Sequence, residues 1–178
     1  MASFPLLEFG KLNGFPEGFD DGKIRTTEFL DASSEVIGML EAFGKLFKPV
    51  VSDMRGNVDK LQNHYQKDEK ERCFLEDMVL KDQACDNNIS RSSLLWLKRA
   101  LEFIERFFWH IINDETHSKA LNSHIKSAYK ETLQTYHGYL LQKTFGVSVL
   151  MGNLMKLHPT NDSIYSFLYV GFLQEIHF

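Results

Sequence analysis

Cysteine is almost missing from this chain. Cys73 and Cys85 are the two present in 178 residues, without CxxC spacing or a Cys/His cluster. That argues against a disulfide scaffold and a structural zinc site and leaves two reduced, incidental thiols. A basic excess is missing as well: 20 Lys and Arg against 24 Asp and Glu give a formal charge of -4, so nucleic acid is not an expected partner. The opening MASFPLLEFGKLNGF has no basic n-region and no long apolar run, and Ala2 follows Met1; neither a secretory leader nor myristoylation is expected. No alternating run bounded by turns demands a sheet, and there is no repeat or low-complexity tract. Also absent are a nucleophile motif, a Gly-rich phosphate loop and HExxH, the devices that would organise catalysis or a cofactor.

What remains is an ordinary globular composition, 43% hydrophobic and 25% charged, long enough for one domain over residues 1–178 with a substantial core. Residues 1–23, rich in Gly and Phe with Pro5 and Pro16, read as an irregular arm. From Thr26 the pattern turns helical: Val36, Leu40, Phe43 and Phe47 form a stripe that Met39, Leu46 and Val50 widen. Pro49 should kink this segment or divide it from a second helix over about residues 52–66. A shorter amphipathic piece follows at Phe74, Leu75, Met78 and Val79. Polar residues 82–93 read as a connection. Residues 94–112 are apolar over most of a helical circumference and predict a central helix. Beyond a polar break at 113–118, a long helical pattern runs from about 119 to 157, with Ala128, Leu133, Tyr136, Leu140 and Leu141 facing inward and Gly138, Gly146 and Gly152 as interruptions. The fold class is all-α. The apolar tail at 164–178 is too short to span a bilayer as a helix.

The second helix carries the most informative pattern. Asp53, Asn57, Lys60 and His64 recur at i, i+4, i+7 and i+11, and Met54, Val58, Leu61 and Tyr65 repeat that spacing one residue later. A polar ladder therefore stands directly beside an apolar stripe, a surface suited to a ligand with a polar head and a greasy body. Trp96, among Leu94, Leu95 and Leu97 and ahead of Lys98 and Arg99, reads either as a core tryptophan or as a flat platform for the C–H face of a sugar. Asp53 and His137 could pair as acid and base with Lys60 as a further base, but with no motif to organise them an enzyme is not the favoured reading. His110, His117 and His124 recur every seven residues without carboxylates at ligand spacing, so no metal site is assigned. Phe43, Phe47, Phe103, Phe107 and Phe145, of 15 phenylalanines, lie on core stripes and either pack or line a pocket.

Three segments, VVSDMRGNVDKLQNHY (50–65), LLWLKRALEFIERFF (94–108) and AYKETLQTYHGYLLQKTF (128–145), resemble the glycolipid transfer protein family in this order and at these separations, over roughly residues 25–158. The resemblance implies an all-α two-layer sandwich enclosing a hydrophobic pocket, and transfer of glycosphingolipids between membranes without covalent chemistry. Carried over to this sequence, it implies that Asp53 accepts from the ceramide amide, His137 donates to the ceramide carbonyl, Asn57 and Lys60 bond the first sugar, and Trp96 stacks beneath it. Tyr139, where the family commonly has tryptophan, is the implied membrane-contact residue. The implied ligand is a glucosylceramide, galactosylceramide or lactosylceramide, the partner a transient membrane surface, and the location cytoplasmic and peripheral, with no cofactor and no metal.

A related branch carries ceramide-1-phosphate and has a positively charged residue where Trp96 stands here, which favours the sugar-binding type. The family's closing aromatic helix has no convincing match in residues 159–178, an expected departure that would expose apolar surface. A sensor or scaffold that binds a glycolipid or ceramide-1-phosphate without moving it is the runner-up reading.

Overall fold

The computed structural model describes residues 14–15, 22–41, 43–44, 47–114, 121–138 and 142. Among them the regular elements are helical, as expected: α1 (Thr26–Glu41), α2 (Lys48–Tyr65), α3 (Leu75–Ala84), α4 (Ile89–Ile112), α5 (Leu121–Glu131) and a 3-10 turn at Gln134–Tyr136. The chain divides into two compact units, residues 1–98 and 99–178. Most of the arm at 1–23, Tyr139, Phe145 and the tail at 159–178 lie outside the described residues.

In the first unit, α1 begins at Thr26, and its start is tied to that of α3. The Thr26 hydroxyl donates to the Arg72 carbonyl at 2.8 Å. The Thr26 amide donates to the Cys73 carbonyl and the Leu75 amide to the Ile24 carbonyl, both at 2.9 Å. The acidic first turn of α3 completes the tie, because Asp77 receives the Lys23 ammonium at 2.7 Å and Glu76 accepts from the Ile24 amide at 3.1 Å. Negative charge there also complements the positive end of the helix dipole. α1 buries Phe29, Leu30, Val36, Ile37, Met39 and Leu40 and packs on α2, whose Val51, Met54 and Leu61 are buried. Phe15 caps this packing, its ring centroid 5.6 Å from that of Phe29.

Pro49 does not end a helix but opens one, in the first turn of α2, where its missing N–H is not needed. α2 therefore starts at Lys48, four residues ahead of the sequence expectation. The stretch 82–93, read as a connection, is mostly helix. α3 continues to Ala84 and α4 starts at Ile89. Between them Asp86 takes a left-handed φ of 54°, and the amides of Asp86 and Asn87 donate to the carbonyls of Gln83 and Asp82. This is a Schellman stop, needing one residue that tolerates positive φ. Asn87 Oδ1 then accepts from the Ile89 amide at 3.0 Å, which turns the chain directly into α4.

α4 is amphipathic rather than apolar all round. Leu97, Ala100, Leu101, Phe103, Ile104, Phe107 and Phe108 are buried, while Leu95 and Trp109 are exposed. At 100° per residue the buried positions occupy an arc of roughly 160°. The helical pattern expected over 119–157 is interrupted: α5 ends at Glu131, Gln142 is helical again, and the rest of the pattern, with Leu140, Leu141, Gly146 and Gly152, lies outside the described residues. Thr132 turns its hydroxyl back to the Ala128 carbonyl at 2.7 Å, and the chain tightens into the 3-10 turn, leaving His137 in extended conformation. Among the described residues no helix is long and apolar enough to cross a membrane.

The first unit also holds a buried charge cluster. His64 and Asp82 are 4% and 1% exposed. Asp82 Oδ2 lies 2.9 Å from His64 Nδ1, at an angle outside that of a hydrogen bond, and Asp82 Oδ1 accepts from Arg72 Nη2 at 3.2 Å. Arg72 also donates to the His64 carbonyl at 3.1 Å. The cluster ties the end of α2 to α3 through the loop between them. Removing one member strands the others out of water. Asp82→Ala should lower unfolding stability by about 3–5 kcal/mol in urea denaturation followed by circular dichroism. A loss below about 1 kcal/mol would mean that the cluster is not an energetic tie.

Candidate functional site

The ladder on α2 does not present one continuous polar surface. Asp53 and Lys60 are exposed, whereas Asn57 and His64 are buried. Helical geometry explains the split. Steps of four and three residues swing alternately about 40° forward and 60° back, so the ladder zigzags across the border between solvent and the Met54–Leu61 stripe. Asn57 and His64 fall on the inner side. His64 is consumed by Asp82 and by Lys67, whose Nζ lies 3.4 Å from Nε2, and is thereby removed from the expected recognition surface.

Asn57 holds Asp53. Its Nδ2 donates to the Asp53 carbonyl oxygen at 3.0 Å and to Asp53 Oδ2 at 3.3 Å. Both partners are acceptors, which assigns the amide nitrogen to that side. A buried carboxamide thus braces an exposed carboxylate one turn away and sets its orientation. Trp96 is half-buried on α4. Seven and eleven residues separate it from Phe103 and Phe107, spacings that place all three within about 20° of one line on the helix. It therefore stands at the apolar arc and not on the charged face, beside the exposed Lys98.

His137 belongs to the second unit and follows the 3-10 turn. Its Nδ1 lies 3.0 Å from the Tyr129 hydroxyl. Its backbone is fixed from both sides: the amide donates to the Leu133 and Gln134 carbonyls at 3.2 and 3.3 Å, and the carbonyl accepts from Gln142 Nε2 at 2.7 Å. The same Gln142 nitrogen bonds the Gln134 carbonyl at 3.0 Å. Arg99 lays its guanidinium 3.5 Å from the centroid of the Tyr136 ring, anchoring the turn from α4. Of the remaining histidines considered for metal, His110 faces Glu131 at 3.0 Å and His124 faces Asp114 at 3.2 Å; His117 lies outside the described residues.

Tyr129 and Gln142 escaped the sequence reading. A tyrosine eight residues before a histidine carries no motif, and the only signal was its place next to the inward-facing Ala128. An open depression of about 440 Å³ near α3 is lined by Lys70, Glu71, Asp77, Leu80 and Lys81. Its charges pair with one another and with neighbours, Lys81 with Asp68 and Glu71 and Asp77 with Lys23. It offers little to an alkyl chain.

Residues 24–168 match the family described as Glycolipid transfer protein (GLTP). The chain belongs to the glycolipid transfer protein family. Its relatives include the human pleckstrin homology domain-containing family A member 8, 30% identical over 138 residues that make up 75% of this chain and 26% of that protein. A glycolipid transfer protein of Aureobasidium melanogenum is 28% identical over 131 residues, 73% of this chain and 64% of the relative. The chain thus spans about a quarter of the length of the pleckstrin homology relative. The crystal structure of a fungal glycolipid transfer protein superimposes with a TM-score of 0.73 at 25% identity, covering 94% of this chain and 86% of that one. The mouse ceramide-1-phosphate transfer protein in its apo form shares the fold alone, at a TM-score of 0.70 and 15% identity over 94% and 87% of the two chains. The fold is therefore the glycolipid transfer protein fold, in a family of lipid transfer proteins rather than enzymes.

In this family member the Tyr129 phenol carries a consequence for stability against pH. Burial raises its pKa above the ordinary 10.0. The unfolded chain loses that proton first, so above about pH 10 the native state holds more protons than the unfolded one and stability falls as pH rises. Urea midpoints measured between about pH 9 and 11 should therefore decline more steeply for the wild type than for Tyr129→Phe. Parallel slopes would show that the phenol ionises freely.

Proposed function

We propose that this protein binds a glycosphingolipid at a membrane surface, extracts it and releases it to another membrane, with no covalent chemistry. The observation that carries the reading is the Asp53 carboxylate, exposed on α2 and braced by the buried Asn57 amide, in a chain of the glycolipid transfer protein family. In this reading Asp53 accepts from the ceramide amide, His137 donates to the ceramide carbonyl, Lys60 and Asn57 bond the first sugar, and Trp96 stacks beneath it. A carboxylate can only accept and an ammonium can only donate, which suits these roles. The ligand is a ceramide with a simple neutral sugar, of the glucosyl, galactosyl or lactosyl type. The protein works in the cytoplasm and touches membranes transiently, with Tyr139 as a contact.

Magnitudes divide the labour. Lifting a two-chain lipid from a bilayer exposes on the order of 30 methylenes, at about 0.8 kcal/mol each roughly 24 kcal/mol. Net hydrogen bonds of about 0.5–3 kcal/mol select a ligand but do not hold it out of the membrane. The reading therefore requires an apolar pocket for the chains, and it assigns the aromatic helix faces to that task.

Transfer of fluorescent galactosylceramide, glucosylceramide and ceramide-1-phosphate between vesicles tests it. Selective movement of the two glycolipids is expected, and Trp96→Ala should reduce it about tenfold, near 1.4 kcal/mol, with the helical spectrum retained. Binding without movement would replace the carrier by a sensor or scaffold. Preferential movement of ceramide-1-phosphate would overturn the sugar assignment.

A further inference from the structure

We propose that Tyr129 is a positioning residue that holds the His137 imidazole as the Nε2–H tautomer, by donating its phenol hydrogen to Nδ1. The inference rests on the reading of His137 as a donor to a ceramide carbonyl and deepens it, because a donor is useful only if its proton stands on a defined nitrogen.

The contact is 3.0 Å between the Tyr129 oxygen and Nδ1, with ring centroids 5.5 Å apart at 51°. Either group can donate in principle, so the direction is a matter of chemistry. Tyr129 is 7% exposed, and burial keeps its phenol protonated, so it has a hydrogen to give. The lone pair of a neutral imidazole nitrogen is a good acceptor, whereas a phenol oxygen has part of its lone-pair density drawn into the ring. The hydrogen bond made at one ring nitrogen decides which form the other takes. With Nδ1 accepting, the exchangeable proton resides on Nε2.

Tyr129 does not locate His137. Leu133, Gln134 and Gln142 hold the backbone of that residue, and Arg99 on Tyr136 anchors the preceding turn. The phenol therefore governs the ring alone. Removing one oxygen should change the tautomer while leaving the segment in place, and the ring of the phenylalanine keeps the packing.

Nitrogen NMR of histidine-labelled full chain reads the tautomer directly, with His137→Ala assigning the signals. Wild type should show protonated-type Nε2 and acceptor-type Nδ1, and Tyr129→Phe should shift both toward averaged values. Transfer of fluorescent galactosylceramide from phosphatidylcholine vesicles should fall roughly three- to tenfold in Tyr129→Phe, the worth of one net hydrogen bond. It should fall no further when that change is added to His137→Ala, since the two residues act as one unit. A wild-type Nδ1–H form, or a tautomer unchanged in Tyr129→Phe, would overturn the assignment. Should the wild type move no glycolipid, the functional reading fails by itself, and the NMR signals still decide for or against the role of Tyr129.

Discussion

A polar atom taken out of water must find a partner inside the protein or cost the fold about 1–3 kcal/mol. That constraint organises the chemistry of this chain. Where α2 meets its apolar stripe, Asn57 and His64 are drawn inward: Asn57 braces Asp53, while His64 faces Asp82 and lies 3.4 Å from the Lys67 ammonium through Nε2. In the second unit Tyr129 is buried and meets His137. For Asn57 the pairing that satisfies a buried group also sets the orientation of its neighbour. Under the proposed reading, the Asp53 carboxylate is pre-organised for a ligand by the same bonds that allow Asn57 to be buried.

Much of the fold could be read in advance because it follows from local rules. The onset of α1 at Thr26, the amphipathic α2 and the all-α class come from periodicity, and the elements named on that basis exist. Misreadings occurred where a stop or a start depends on backbone geometry or on a partner far away in sequence. Asp82 looked like part of a polar connection, yet it is a buried counter-charge for Arg72, ten residues earlier. The Asp-Asn-Asn run does turn the chain, but within the four residues 85–88, because Asp86 accepts a positive φ. α5 ends without a glycine or proline, through the Thr132 hydroxyl and a turn anchored by Arg99 across more than thirty residues. No window of local pattern contains that information.

The ladder shows a finer limit of pattern reading. Spacing placed Asp53, Asn57, Lys60 and His64 correctly on one file of α2, but a file that straddles a border divides by angle into an inner and an outer pair. Asn57 therefore differs in kind from Lys60. Its amide hydrogens are directed at Asp53, so in the proposed role it would contribute through its carbonyl oxygen and through the carboxylate it steadies. Lys60 is exposed, and in the proposed role its long side chain would adapt to sugars of differing stereochemistry at a cost in side-chain entropy. One residue supplies rigidity and the other tolerance.

Charge around Trp96 bears on the choice between a sugar and a phosphate. A phosphate held away from bulk water calls for cations with donors aimed at its oxygens, ideally in the fork geometry of arginine. Arg99 is the nearest arginine on α4, and its guanidinium is stacked on Tyr136 at 3.5 Å, where it serves the turn before His137. Using it for a phosphate would mean giving up that stack, worth about 0.5–2 kcal/mol, and loosening the segment that carries the proposed carbonyl donor. A neutral sugar on the indole makes no such demand. The engagement of Arg99 and the apolar placement of Trp96 are two separate features, and under the proposed reading both suit an uncharged head group.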